Sequence, residues 1–171
     1  MLKTIQPLPV RLNHNRVAMF IDNSNLFYVQ RKLMTRIDYL SLRDYFGAEE
    51  AYVYMSLNPE NISEQRFRRF LEQNNFHVCV EKMTTRQDGS KKANLDVEIA
   101  LDMFSRANDY DVAILISGDG DFHWLVERLR RMGKYVVIVG LDGMTSAVIK
   151  KKANRYINLR DIYKVISRKA S

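Results

Sequence analysis

The apolar residues of this chain come in short runs of strand length, and the runs alternate with helix-like segments. Val17–Asp22 reads V-A-M-F-I-D, Val112–Ile116 reads V-A-I-L-I and Tyr135–Gly140 reads Y-V-V-I-V-G. A strand with one solvated face would alternate apolar with polar residues. Continuous runs of this kind are instead buried on both faces. Further strands are expected over residues 51–57, 76–82 and Arg155–Asn158. Helices are expected over residues 25–34, Tyr39–Phe46, 60–74, 93–107, 121–132, 145–153 and 159–167. Asn23 or Ser24 supplies the expected cap of the first helix and Asp38 that of the second, while Gly47 and Gly133 stop helices. Residues 84–92 are polar with one glycine and read as an exposed loop. Strands alternating with helices give a mostly parallel central sheet flanked by helices, a three-layer α/β fold.

The chain has 171 residues, the length of one domain. The reading is an irregular arm over residues 1–15, which holds Pro7 and Pro9, one domain over 16–167 and a basic tail over 168–171. Hydrophobic residues at 46% and charged residues at 27% exclude a disordered chain and a disulfide scaffold. The single cysteine, Cys79, leaves no partner for an internal disulfide, a zinc ribbon or a C-x-x-C redox site. No apolar run approaches the ~18–20 residues of a membrane span, so no membrane association is expected. Residues 1–16 hold no continuous apolar segment, so a cytoplasmic, reducing location is the expectation. Lys and Arg number 27 against 20 Asp and Glu, a net charge of +7. That balance favours a polyanionic partner such as RNA.

Ligands of a parallel α/β sheet bind outside the carboxyl ends of its strands. Asp22 closes the first apolar run, and Ser117-Gly118-Asp119-Gly120-Asp121 follows Val112–Ile116 directly. The two glycines are expected to let the backbone turn tightly there. Asp96 lies in the first turn of the helix expected over 93–107, and a crossover would bring that turn to the same edge. The expectation is four carboxylates, Asp22, Asp96, Asp119 and Asp121, around one crevice. Clustered carboxylates repel and call for a cation. With no His or Cys pair nearby, a hard ion is indicated, Mg²⁺ or Mn²⁺. Such an ion on a phosphate orients an attacking water and stabilises the leaving oxygen, which points to phosphodiester hydrolysis. Asp and Gly are also ordinary turn residues after a strand, and Asp22 alone could be a simple helix-capping turn. The joint placement at three element ends carries the argument. The chain has no EF-hand loop, no complete G-x-G-x-x-G and no P-loop.

Phe20-Ile21-Asp22-Asn23-Ser24-Asn25 resembles the F-I-D-G-x-N opening of the NYN domain family, and within it the LabA-like proteins of the PIN-like nuclease superfamily. Asn94-Leu95-Asp96-Val97 with Leu101-Asp102 is similar to that family's V-D-V…D helix. Leu115 to Phe122 matches its L-[IV]-S-G-D-G-D-F motif, and Gly133-Lys134 before Val136 its G-K-x-V strand. The resemblance spans residues 17–159 and implies a PIN-like fold with metal-dependent, RNA-directed nuclease chemistry. It assigns Asp22, Asp96, Asp119 and Asp121 to the catalytic metal site, Asn25 to a hydrogen-bonding partner, and Ser117 to orienting Asp119 or a water. Asn23 stands where the family usually has Gly, Ala93 where many members have Lys, and Asn154 where a late Asp often occurs.

Asp102 falls six residues after Asp96, about 120° around a helix, so it would support the site from behind or face solvent. Arg86, Lys91 and Lys92 lead into the Asp96 segment and are the preferred phosphate contacts. Lys150–Lys152 with Arg155, and Arg128, Arg130 and Arg131, form further basic clusters. Phe122 and Trp124 read as core, Tyr28 as core with stacking on a base as the alternative, His123 as a solvated helix residue with a substrate phosphate as the alternative, and Cys79 as a buried, inert thiol. The reading is a metal-dependent ribonuclease using a metal-activated water. A non-catalytic RNA- or partner-binding regulatory module is the alternative, and a phosphohydrolase with an Asp22 nucleophile is a weaker third. Homo-oligomers are compatible with all of them.

Overall fold

The computed structural model describes residues 16–82, 84–85, 91–92 and 95–167. Strand β1 (Val17–Asp22) is followed by helices α1 (Asn23–Leu33) and α2 (Tyr39–Phe46), β2 (Glu50–Leu57), α3 (Ile62–Gln73) and β3 (His77–Lys82). A two-residue pair, β4 (Thr84–Thr85) and β5 (Lys91–Lys92), precedes α4 (Asp96–Ser105) and β6 (Val112–Ile116). A 3₁₀ turn over Gly120–Phe122 leads into α5 (His123–Arg131), then β7 (Tyr135–Gly140), α6 (Ala147–Lys152), β8 (Arg155–Asn158) and α7 (Leu159–Ile166).

The central sheet has six strands in the order β3-β2-β1-β6-β7-β8. Every pair in it is parallel. The chain therefore builds outward from β1 to β3, returns to the middle as β6, and builds outward again on the other side. The carboxyl ends of β1 and β6 flank the point where that direction reverses, the place where open α/β sheets hold their ligands.

The two faces of the sheet bury separate cores. Met19, Ile21, Ile114 and Ile116 pack with Leu26 of α1, Leu42 of α2, Leu71 of α3 and Ile162 of α7. Ala18, Phe20, Ala113 and Leu115 pack with Ile99 and Met103 of α4, Val126 of α5 and Ile149 of α6. Alternation along each strand sends neighbouring residues to opposite layers, which explains why the runs are apolar throughout. Phe20 is wholly buried, stacked on Tyr52 at 5.1 Å with Tyr110 edge-on at 5.7 Å. Among the described residues no helix is long and apolar enough to cross a membrane.

Several local expectations are corrected. The cap of α1 is Asp22, not Asn23 or Ser24: its carboxylate accepts from the Asn25 N–H and frees both of its neighbours to enter the helix. The segment read as a plain loop carries the antiparallel β4–β5 pair. Helix α4 starts at Asp96, and α5 at His123 after the 3₁₀ turn. Trp124 and Tyr28 are 70% and 60% exposed, not core, whereas Phe122 is buried. Cys79 is only half-buried. The Asp38 cap of α2 and its stop at Gly47, with φ 61°, are as the sequence indicates.

Candidate functional site

Parallel register aligns Ile21 with Ile116, so the next residues, Asp22 and Ser117, emerge side by side at the sheet edge. They are the buried polar side chains of the described residues, 9% and 1% exposed. The Ser117 hydroxyl donates to Asp22 Oδ2 at 3.1 Å, and the Asn25 N–H donates to Oδ1 at 3.0 Å. The Asp119 N–H donates to Ser117 Oγ at 3.2 Å, and the Asp121 N–H to Asp119 Oδ1 at 2.9 Å. Asn25 closes the circuit, its Oδ1 accepting from the Gly118 N–H at 3.1 Å. One hydrogen-bonded ring thus ties the end of β1 to the loop after β6. His123 clamps the 3₁₀ turn through Nδ1 and the Gly120 carbonyl, 2.8 Å apart.

The glycines of this loop serve a purpose other than the tight turn the sequence suggested. Among the described glycines only Gly47, Gly133 and Gly143 have positive φ. Gly118 instead lets the 144–146 segment approach: a Cβ there would lie 2.6 Å from the Met144 carbonyl oxygen and 3.1 Å from Thr145 Cα. The Ser146 N–H donates to the Gly118 carbonyl at 2.9 Å across this contact.

Burial raises the Asp22 carboxyl above the ordinary aspartate range, the charge of Asp119 raises it further, and the hydrogen bonds from Asn25, Ser117 and Ser24 partly offset both. Tyr39, whose hydroxyl donates to Asn23 Oδ1, is also held protonated by burial and by the Asp22 charge. The site therefore concentrates negative charge that its protein surroundings do not cancel.

Of the four predicted acids, Asp22 and Asp119 are linked through Ser117, whose hydroxyl donates to the Asp22 carboxylate and accepts from the Asp119 N–H. Asp121 is exposed and enters the ring through its backbone. Asp96 is the half-buried first residue of α4. Arg106 of α4 lies over Tyr52, and Asp102 accepts from the Tyr54 hydroxyl at 2.8 Å, so α4 runs antiparallel to β2. Six residues at 1.5 Å carry Asp96 roughly 9 Å beyond Asp102, past the strand ends. Among the described residues no group of three His, Cys, Asp or Glu side chains is set to hold a metal ion. The donors that do converge, two carboxylates with a serine hydroxyl and an asparagine amide close by, are all hard oxygens. They suit Mg²⁺ or Mn²⁺, which binds through one or two carboxylates and keeps several waters.

Asp102 is engaged by Tyr54, by Arg106 at 3.8 Å and by the Cys79 thiol at 3.8 Å. Burial and Asp102 together hold the Cys79 thiol and the Tyr54 hydroxyl protonated. Arg86 lies outside the described residues, and Lys91 and Lys92 are described only as backbone in β5. The other basic clusters are largely engaged within the fold. Arg131 and Lys152 hold Glu127, Lys150 holds Asp142, and Arg130 donates to the Lys152 carbonyl. Sequence reasoning missed a groove beside Asp22, walled by α1. Its signal was present: Leu26 and Val29 face inward, which turns Phe27 and Tyr28 out.

The NYN domain family matches residues 16–160 of the chain. The low amplitude and bright protein LabA of Synechococcus elongatus is 34% identical over 167 residues, covering 90% of this chain and 89% of LabA. A crystal structure of a Vibrio parahaemolyticus protein of unknown function superposes with a TM-score of 0.77 at 30% identity, over 85% of this chain and 93% of that one.

Proposed function

The chain belongs to the NYN domain family of PIN-like nucleases, and on that premise we propose that it is a divalent-metal-dependent ribonuclease that hydrolyses RNA phosphodiester bonds. The observation that carries the reading is the Asp22–Ser117–Asp119 chain, a buried carboxylate hydrogen-bonded to the loop that carries a second one where the strand order reverses, in a protein of net charge +7. Asp22 and Asp119 would hold Mg²⁺ or Mn²⁺, with Asp121 and Asp96 as further acids toward the substrate. When bound, the ion supplies positive charge for the phosphate and lowers the pKa of an attacking water. Ser117 and the Asn25 N–H fix both oxygens of Asp22, so the carboxylate is oriented before substrate arrives. Arg86, Lys91 and Lys92 are proposed to meet RNA phosphates on the approach to Asp96.

A second reading, a non-catalytic RNA- or partner-binding regulatory module, is favoured because no group of three His, Cys, Asp or Glu among the described residues is set to hold a metal ion. A cleavage assay on pooled single-stranded, structured and transfer RNAs separates the two, run with Mg²⁺, Mn²⁺ or EDTA. The ribonuclease reading expects metal-dependent cleavage by wild type and none by the Asp22→Asn, Asp119→Asn double variant, with RNA still bound. Equal cleavage by the double variant ends it, and retention of RNA without cleavage by wild type selects the second reading.

A further inference from the structure

A groove of about 890 Å³ opens beside the candidate site, between α1 and the ends of β2 and α3. Asn23 and Ser24, the residues after Asp22, form its inner end. Phe27 and Tyr28 form one wall, 52% and 60% exposed, with ring centroids 5.8 Å apart and edge to face. Leu26 and Val29 anchor α1 in the core, so these two rings are held on a rigid helix and have no apolar partner layer. Arg31 lies 5.8 Å from the Phe27 ring centroid, and Arg36 lines the same groove. Among the described residues neither arginine forms a salt bridge. The groove's carboxylate, Glu64, is already taken by the Asn58 N–H at 2.7 Å and the Asn61 amide at 2.9 Å, as the cap of α3. Two arginines, Arg31 and Arg36, against this one glutamate leave the lining net positive.

The geometry points to this groove as the track for single-stranded RNA, with unpaired bases stacking on Tyr28 and Phe27 and phosphates meeting Arg31 and Arg36 as the chain leads to Asp22. The inference rests on the ribonuclease reading for its choice of RNA. Exposed aromatic faces combined with cations fit a single strand, because a base inside a duplex has no free face to stack. Asn23 and Ser24 of the lining directly follow Asp22, and Tyr39, also in the lining, is close enough to Asp22 to feel its charge. In the basic clusters of α5 and α6, Arg130, Arg131, Lys150 and Lys152 are engaged by a backbone carbonyl, Glu127 and Asp142.

The test measures fluorescence anisotropy of a labelled oligouridine, and of a duplex of equal length, in EDTA so that binding is read without cleavage. Tyr28→Ala is expected to weaken single-strand binding about 5- to 150-fold, the range for losing one stacked base, while Tyr28→Phe binds as wild type. Arg31→Ala and Arg36→Ala should each flatten the slope of log K against log salt by about 0.7. The duplex should bind at least tenfold more weakly than the single strand. The inference is overturned if the Phe27→Ala, Tyr28→Ala double variant binds oligouridine like wild type, if the duplex binds equally well, or if wild type binds no single strand. Oligouridine bound through the groove but never cut when Mg²⁺ or Mn²⁺ is restored would defeat the ribonuclease reading and leave the groove standing. Cleavage unchanged by the groove substitutions would defeat the groove alone.

Discussion

Replacing Gly118 with alanine puts a methyl group 2.6 Å from the Met144 carbonyl oxygen and 3.1 Å from Thr145 Cα, both backbone atoms that no rotamer change can move. Its φ is not left-handed, so the cost comes from contact alone. Overpacking of this kind costs about 1–3 kcal/mol. Relief by moving the loop stretches the Gly118 N–H bond to Asn25 and the Ser146 N–H bond to the Gly118 carbonyl, now 3.1 and 2.9 Å. Each is worth about 0.5–1.5 kcal/mol. The smaller entropy of the unfolded alanine chain offsets about 0.4–1 kcal/mol, leaving a net loss of roughly 1–5 kcal/mol. At roughly 2–4 °C per kcal/mol for a chain of this size, Tm should fall by about 2–20 °C. Gly120→Ala is the control: its Cβ would meet the Ser146 side chain, Oγ at 2.8 Å and Cβ at 3.1 Å, which can rotate at the expense of its cap on α6. Circular dichroism during heating and urea denaturation reads both variants. A Gly118→Ala protein as stable as wild type, or no less stable than Gly120→Ala, refutes the close-approach argument.

Asn25→Ala removes the acceptor of the Gly118 N–H and should cost about 1–3 kcal/mol in urea denaturation; no measurable loss would show that the ring does not hold the loop. Asp22 has a raised carboxyl pKa in the fold, so its protonated form favours the folded state, and the metal-free protein loses that contribution as pH rises through the folded value. Asp22→Asn in EDTA should therefore stabilise the protein at neutral pH, with the gain vanishing below the ordinary aspartate range; a loss of stability at neutral pH would contradict this. Asp142 is the opposite case, held low first by Lys150, then by Tyr156. Its stabilisation is present above the ordinary aspartate value and disappears as pH falls through the depressed one, so Asp142→Asn should lower Tm at neutral pH and match wild type in acid. A Tm difference that persists unchanged in acid would show that the carboxylate charge is not responsible.

The layers of the fold were legible because burial on both faces leaves unbroken apolar runs of strand length, V-A-M-F-I and V-A-I-L-I, closed by polar residues. Their ends were legible for the same reason: a carboxylate or serine directly after a buried strand must sit at the sheet edge. The partners of those side chains were not. Whether Asp22 or Asn23 caps α1 depends on a one-residue shift of the helix start, and both residue types cap well. Gly118 looked like a turn glycine because the sequence holds no trace of the distant Met144–Ser146 backbone that needs its space. Trp124 and Tyr28 were misread because large aromatics are usually buried, and only their phase relative to Leu26, Val29 and Val126 reveals that they face outward. Where Asp96 lies relative to Asp22 and Asp119 depends on where α4 docks along β2, which the Tyr54–Asp102 and Tyr52–Arg106 contacts decide.

The most direct test of the account is anomalous diffraction from crystals grown with Mn²⁺. It predicts one strong anomalous peak in coordination with the Asp22 and Asp119 carboxylates, and its loss in Asp119→Asn. Peaks confined to other surfaces, or the same peak in the variant, would show that the strand-end acids are not a metal centre.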